Sequence, residues 1–299
     1  MSKIPNTDIE VSQIGLGTMN FGAPVNQPDA IDLIRHALDN GINHIDTANM
    51  YEGYTRYRGS HGGVAERFIG QAVKGAREKF VIATKFGMSV GDMPEDEGCG
   101  QAALAKQLDR SLKYLETDYV DIYYAHKYDS DTRPEELADA MKRAVDAGKI
   151  RCWGVSNYSG AQLSSLLVAA DANGLPRPVV CQPQLSLLKH EALDDVITVC
   201  AREKIGVIPY QALCGGLLTN KYKRGGAIPE NSRAAESGWL TLDDATFQHL
   251  EAIDADAKSH GMTMMQYAIR WVAACPSVVS VLIGAKNKTQ IDDALASCR

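Results

Sequence analysis

The sequence predicts a single (α/β)8 TIM barrel spanning residues 1–299, and three observations predict it. Its 299 residues exceed the roughly 250 that eight βα units occupy. Short apolar runs rich in β-branched residues alternate with amphipathic stretches about every 25 to 40 residues, the mark of a parallel sheet with crossover helices. No Pro/Gly/Ser-rich linker or abrupt charge shift divides the chain, so the units read as one closed domain rather than two.

Taken in order, the first predicted strand is Ile14–Gly17. The run from Gly15 to Gly22 superficially suggests a dinucleotide fingerprint, but its third glycine falls two residues late and no helical pattern follows until after Pro28. It is therefore a strand and loop whose glycines let the backbone approach a ligand. Pro28-Asp29 opens a helix carrying Ile31, Ile34 and Leu38, and Asn40-Gly41 closes it. Strand two, Ile42–Asp46, runs into a long connection from Thr47 to about Gly63. Strand three is Phe80–Thr84, followed by a helix at Gln101–Leu115, where Leu104, Leu108, Leu112 and Leu115 form one apolar stripe. Strands four and five are Tyr119–Tyr124 and Cys152–Val155, and Ser159 is the N-cap of a helix bearing Leu163, Leu166 and Leu167. Strand six is Val179–Gln182 and strand seven Gly206–Tyr210, with a second long connection from Gln211 to about Trp239. Helices at Leu242–Ser259 and Thr263–Ala274 lead to strand eight, Val278–Gly284.

Composition narrows the function. With 31 Lys and Arg against 37 Asp and Glu, the net charge of −6 offers no general attraction for nucleic acid, and 45% hydrophobic with 23% charged residues is ordinary globular usage. The seven cysteines never lie closer than fourteen residues apart, so neither a disulfide framework nor a zinc site is indicated. The N-terminus lacks an apolar signal region and no stretch approaches about 18 uninterrupted apolar residues. The expectation is a cytoplasmic protein with no membrane partner.

The informative residues stand at or just past the ends of strands two to seven: Asp46, Lys85, His126, Asn157, Gln182 and Tyr210. In an (α/β)8 barrel these ends converge on the active-site rim. A tyrosine, with an ordinary pKa of about 10, exchanges protons poorly at neutral pH unless a cation favours its phenolate. Lys85 would be that cation for Tyr51, Asp46 the counter-charge holding Lys85, and His126 a donor to a carbonyl oxygen.

Those residues sit in blocks that resemble the aldo-keto reductase superfamily: Ile45-Asp46-Thr47-Ala48-Asn49-Met50-Tyr51, Ala83-Thr84-Lys85-Phe86-Gly87 and His126-Lys127-Tyr128-Asp129. The resemblance continues, in order, through Gly154-Val155-Ser156-Asn157-Tyr158, Tyr210-Gln211-Ala212-Leu213, Gly216 to Tyr222 and Ile283-Gly284-Ala285-Lys286. It implies a barrel whose first residues, about Met1–Ser12, form a cap across the bottom. It also implies reversible reduction of a small aldehyde or ketone with hydride from NADPH. Tyr51 would then be the general acid, Lys85 and Asp46 its tuning pair, and His126 the group that orients the substrate.

For the cofactor, the resemblance places Gly17, Thr18 and Met19 beside the nicotinamide ribose, with Asp46 and Ser156 close by. Asn157 and Gln182 would hold the nicotinamide amide, and Tyr210 would stack on its ring. The pyrophosphate is expected on the backbone N–H groups of Leu213–Leu217, where Gly215 and Gly216 permit close approach, with charge from Lys221, and Gln211 is a further cofactor-binding residue. Lys286, after Gly284 and before Gln290 and Asp293, suits an adenosine 2′-phosphate, and Arg233 would clamp the same group. The sequence departs from the family pattern at Glu52 after Tyr51, at Gln211-Ala212 after Tyr210 and at Ala294, where many relatives carry an adenine-binding Asn. Arg56, Arg58 and His61 crowd one rim loop, and Trp153, Trp239 and Tyr128 are candidates to stack against a sugar or aromatic substrate. Two other functions compete: an NADPH-sensing regulatory subunit with little turnover, and a metal hydrolase, for which rim ligands are too few.

Overall fold

The structure, a computed structural model, describes residues 1–57, 59–230, 232–237 and 240–298. Arg58 and Trp239 therefore lie outside the described residues. A short antiparallel hairpin, β1 (Ser2–Lys3) with β2 (Glu10–Val11), precedes the barrel. Eight parallel strands follow: β3 (Ile14–Gly17), β4 (His44–Asp46), β5 (Val81–Phe86), β6 (Val120–Ala125), β7 (Ile150–Ser156), β8 (Val180–Gln182), β9 (Gly206–Val207) and β10 (Val281–Gly284). They pair in the order β10-β3-β4-β5-β6-β7-β8-β9. A bridge between Val207 and Val278, with Leu282 N–H donating to Pro209 O at 3.1 Å, joins the two ends of that order.

The helices are α1 (Gln27–Asp39), α2 (Val64–Val73), α3 (Gln101–Leu115), α4 (Pro134–Asp146), α5 (Gly160–Ala172), α6 (Val196–Glu203), α7 (Arg233–Ser237), α8 (Asp244–Ser259), α9 (Met264–Ala273) and α10 (Lys288–Ala296). Their starts are chemical. Asn26 caps α1 by accepting from Asp29 N–H, Asp243 caps α8, and Ser159 with Gln162 and Thr263 with Gln266 form reciprocal capping boxes on α5 and α9.

Two cores follow from the two faces of each strand. Outward residues such as Ile45, Ile82, Tyr123, Trp153 and Ile283 pack with the helices. Inward residues Val81, Ala83, Ile122, Tyr124, Val180 and Ile208 fill the barrel, where Ile4, Ile9 and Val11 of the hairpin join them. The expected N-terminal cap is thus a hydrophobic plug.

The alternation also sets the chemistry. Counting in twos from those inward positions, and from the outward Ile45 and Trp153 on β4 and β7, Asp46, Lys85, His126, Ser156, Gln182 and Tyr210 all fall on the inward side. Trp153 falls on the other side and is buried between sheet and helices, so the expectation that it stacks on substrate is corrected. Ala294 likewise packs into the core from α10 rather than facing a ligand cleft. The predicted strand seven is shorter than expected, because Pro209 has no N–H to extend the ladder. Arg233, expected in an open loop, stands on the short helix α7.

Candidate active site

Lys85 is the centre of the mouth. With none of its surface exposed, its Nζ donates to Asp46 Oδ1 at 2.5 Å, to the Thr47 carbonyl at 2.8 Å and to Tyr51 Oη at 3.4 Å. Asp46 is satisfied from its other side by Gln182 Nε2 at 2.8 Å. Burial, the largest influence, would by itself drive the proton off Lys85, but Asp46 and Tyr51 together outweigh it and the pKa rises. Tyr51 is raised as well, since burial outweighs the pull of the neighbouring ammonium. Its phenol therefore stays protonated at neutral pH. The His126 ring lies edge-on to Tyr51 with centroids 5.9 Å apart. Burial first, then Lys85, Arg56 and Lys127, hold its pKa well below 6.5, so the imidazole is neutral, and its Nδ1 has no protein partner. A protonated phenol beside a fixed cation, flanked by a neutral N–H donor, can polarise and then protonate an oxygen.

A second group lies along strands β7 to β9. Asn157, in left-handed conformation at φ +59°, accepts from Tyr210 Oη at 2.7 Å and donates to the His126 carbonyl at 2.9 Å. Ser156 Oγ donates to the Gln182 carbonyl at 2.8 Å, and Thr18 Oγ1 to the Asp46 carbonyl at 2.9 Å. These hydroxyls are already committed to tying neighbouring strand ends together. Gly17 and Gly284 are paired across β3 and β10, where a Cβ on Gly17 would lie 3.4 Å from the Ile283 carbonyl oxygen.

Farther along the rim, cations gather. The Arg233 guanidinium lies over the Tyr54 ring at 3.9 Å and near Met19 Sδ at 4.0 Å, while Lys286 Nζ lies 5.3 Å from the same ring and 2.8 Å from Glu236. Desolvation and then the Lys286 charge lower the Lys221 pKa. Lys221 packs so closely on Gly216 (φ +93°) that a Cβ there would come within 2.3 Å of Nζ. Within the turn Gln211–Leu217, the N–H groups of Cys214 and Gly216 donate to Gln211 and Leu213 carbonyls, and the Leu217 side chain is buried in a small core under the loop. Gln290 accepts from Lys286 N–H at 2.8 Å, and Asp293 is exposed on α10. Three cations on one glycine-lined stretch have the charge to hold the phosphates of a dinucleotide.

Sequence reasoning noted residues of this rim loop without finding what they do. Arg56 donates to the carbonyls of Met50 and Ser89 and lies 3.5 Å from Glu52, which in turn accepts from Ser60 Oγ at 2.5 Å, so the extra Glu52 organises the rim loop. Tyr54 forms the platform beneath Arg233. Beside the mouth, a cleft of about 970 Å³ is lined by Glu95, Glu97, Lys127, Tyr128, Asp129 and Glu136, among others, and does not reach Asp46, Tyr51, Lys85 or His126. Among the described residues no cluster of three or more His, Cys, Asp or Glu is placed to hold a metal, and no helix is long and apolar enough to cross a membrane.

A barrel that sets a phenol against a buried ammonium at one end of a cation-lined rim has the form of an NAD(P)H-dependent oxidoreductase acting on carbonyl groups. The sequence profile of the aldo/keto reductase family matches residues 13–299, and the chain belongs to that family. It is 32% identical over 307 residues to the aldo-keto reductase YhdN of Bacillus subtilis, covering 97% of this chain and 86% of that protein. It is 31% identical over 295 residues to a probable voltage-gated potassium channel subunit beta of Arabidopsis thaliana, covering 95% of this chain and 87% of that protein. A glycerol dehydrogenase from Gluconobacter oxydans superposes with a TM-score of 0.80 at 27% identity, over 98% of this chain and 88% of that one.

Proposed function

We propose that the protein reduces a small aldehyde or ketone with hydride from NADPH, reversibly, and that Tyr51 supplies the proton. The observation that carries this reading is Lys85, which holds Asp46 at 2.5 Å and Tyr51 Oη at 3.4 Å in one buried cluster. NADPH, when bound, supplies the hydride. The chain does the rest. His126, neutral, donates an N–H to the carbonyl oxygen and fixes its direction. Tyr51 donates its proton as charge develops on that oxygen, and Lys85 stabilises the phenolate left behind. Asp46, held by Lys85 and Gln182, keeps the ammonium charged and in place.

Asn157, Gln182 and Tyr210 would hold the nicotinamide end, with Gly17, Thr18, Met19 and Ser156 beside the ribose and the turn from Gln211 to Leu217 along the pyrophosphate. The cluster of Lys221, Arg233 and Lys286 supports NADPH over NADH, because a 2′-phosphate brings extra negative charge to it.

Replacing Tyr51 by Phe should lower carbonyl reduction by about 10²–10⁴-fold while NADPH still quenches protein fluorescence with the parent affinity. Undiminished turnover would refute Tyr51 as the acid. The likeness to a plant protein named as a potassium channel subunit favours a second reading, an NADPH-sensing subunit with little turnover. Tight NADPH binding with no oxidation across short, aromatic and sugar aldehydes would select it.

A further inference from the structure

Helix α3 carries a polar residue at a position where its packing face calls for an apolar one. Gln107 lies on the buried side between Leu104 and Ser111, with none of its surface exposed. Its carboxamide makes three contacts. Oε1 accepts from Asn49 Nδ2 at 2.7 Å and from Gly87 N–H at 3.0 Å, and Nε2 donates to the Glu95 carbonyl at 3.1 Å. A buried amide so fully engaged is a clamp rather than a filler.

What it clamps is specific. Asn49 stands two residues before Tyr51, and its own N–H donates to the Lys85 carbonyl at 3.1 Å. Gly87 stands two residues after Lys85, at φ +99°. One oxygen atom on α3 thus joins the turn that carries the phenol to the strand end that carries the ammonium. The contact between those two groups, at 3.4 Å, is at the limit of a hydrogen bond, so a shift of a few tenths of an ångström removes it.

We propose that Gln107 is a positioning residue for the reaction: through Asn49 and Gly87 it sets the separation between Tyr51 Oη and Lys85 Nζ. This rests on the reading of Tyr51 as the proton donor. Gln107 touches neither substrate nor cofactor. Its effect belongs to kcat, because a proton donor displaced from its cation loses transition-state stabilisation while the cofactor rim, held by other loops, is unaltered.

The test compares the parent, Gln107→Met, which keeps volume and removes all three hydrogen bonds, and Gln107→Glu, which keeps oxygens to accept from Asn49 and Gly87. In Gln107→Met, kcat for carbonyl reduction should fall about tenfold to 10²-fold, KM and the NADPH affinity should change by less than about threefold, and the solvent deuterium isotope effect on kcat should grow. Gln107→Glu should recover part of the loss. A crystal structure of Gln107→Met should show Tyr51 Oη and Lys85 Nζ beyond hydrogen-bonding distance. If that separation is unchanged, or if kcat and the isotope effect equal the parent's, the positioning role is wrong. If the parent itself does not turn over, or Tyr51→Phe turns over equally well, the acid assignment fails instead, and the crystallographic separation still decides the role of Gln107.

Discussion

Lys85 holds a full charge with no exposed surface, which water-free burial would ordinarily forbid. Its tolerance rests on Asp46 at 2.5 Å, and Asp46 rests in turn on Gln182. Removing one partner of such a pair strands the other. Lys85→Met and Asp46→Asn should each cost about 3–5 kcal/mol of stability, and the double variant should cost clearly less than the sum. Urea unfolding of the four proteins measures this cycle, and additivity within about 0.5 kcal/mol would show that the two groups are not coupled. The same residues explain what a reader of the sequence could see. Asp46, Lys85 and His126 were legible because each is a polar group at or just past the end of an expected strand, and Tyr51 because the block from Ile45 to Tyr51 resembles that of the family. Gln107 was hidden, because a glutamine beside a leucine stripe reads as the polar border of that face until its partners Asn49, Gly87 and Glu95 are in place, and Arg56 was visible only as one of several loop cations.

At the scale of elements, legibility followed the strength of periodicity. The leucine stripe fixed α3 at Gln101–Leu115 residue for residue, and Ser159 caps α5 as its side-chain chemistry requires. Strands β3 and β8 came out at or within one residue of expectation, since apolar runs bounded by turn residues leave little freedom. Strand β9 did not, because Ile208 and Tyr210 keep the inward alternation of a strand while Pro209 withholds the donor a ladder needs. Strand β10 begins three residues later than expected, after Ser277 turns the chain through φ +63° and leaves Val278 only a single bridge to Val207. The helix α7 had no sequence signal: five residues cannot display a helical period, and its place is set by Arg233 meeting Tyr54 from a loop far away in the chain.

The whole molecule is a barrel with a packed interior, and its acid stability should report on that filling. His44 lies inside the barrel on the same strand and face as Asp46, with Nδ1 3.0 Å from Ser280 Oγ and Gly15 so close that a Cβ would fall 2.6 Å from the ring. Burial, first of all, pushes its pKa down to about 4. In the unfolded chain it returns to about 6.5. The unfolded state thus binds one more proton between those values, and stability is lost as pH falls from about 6.5 through 4, by about 3 kcal/mol in all. Denaturation midpoints at pH 7 and pH 5 should differ more for the parent than for His44→Gln; equal differences would mean that His44 does not titrate on unfolding. The hairpin of β1 and β2 has a consequence of another kind. Because Ile4, Ile9 and Val11 stopper the far end, everything that visits the chamber uses one doorway. If the cofactor lies along the threshold with its reactive ring inward, as proposed above, it would arrive before the carbonyl compound and leave after it. Traffic would then be queued by architecture, and product-inhibition patterns competitive only between the two nucleotide forms would record that queue.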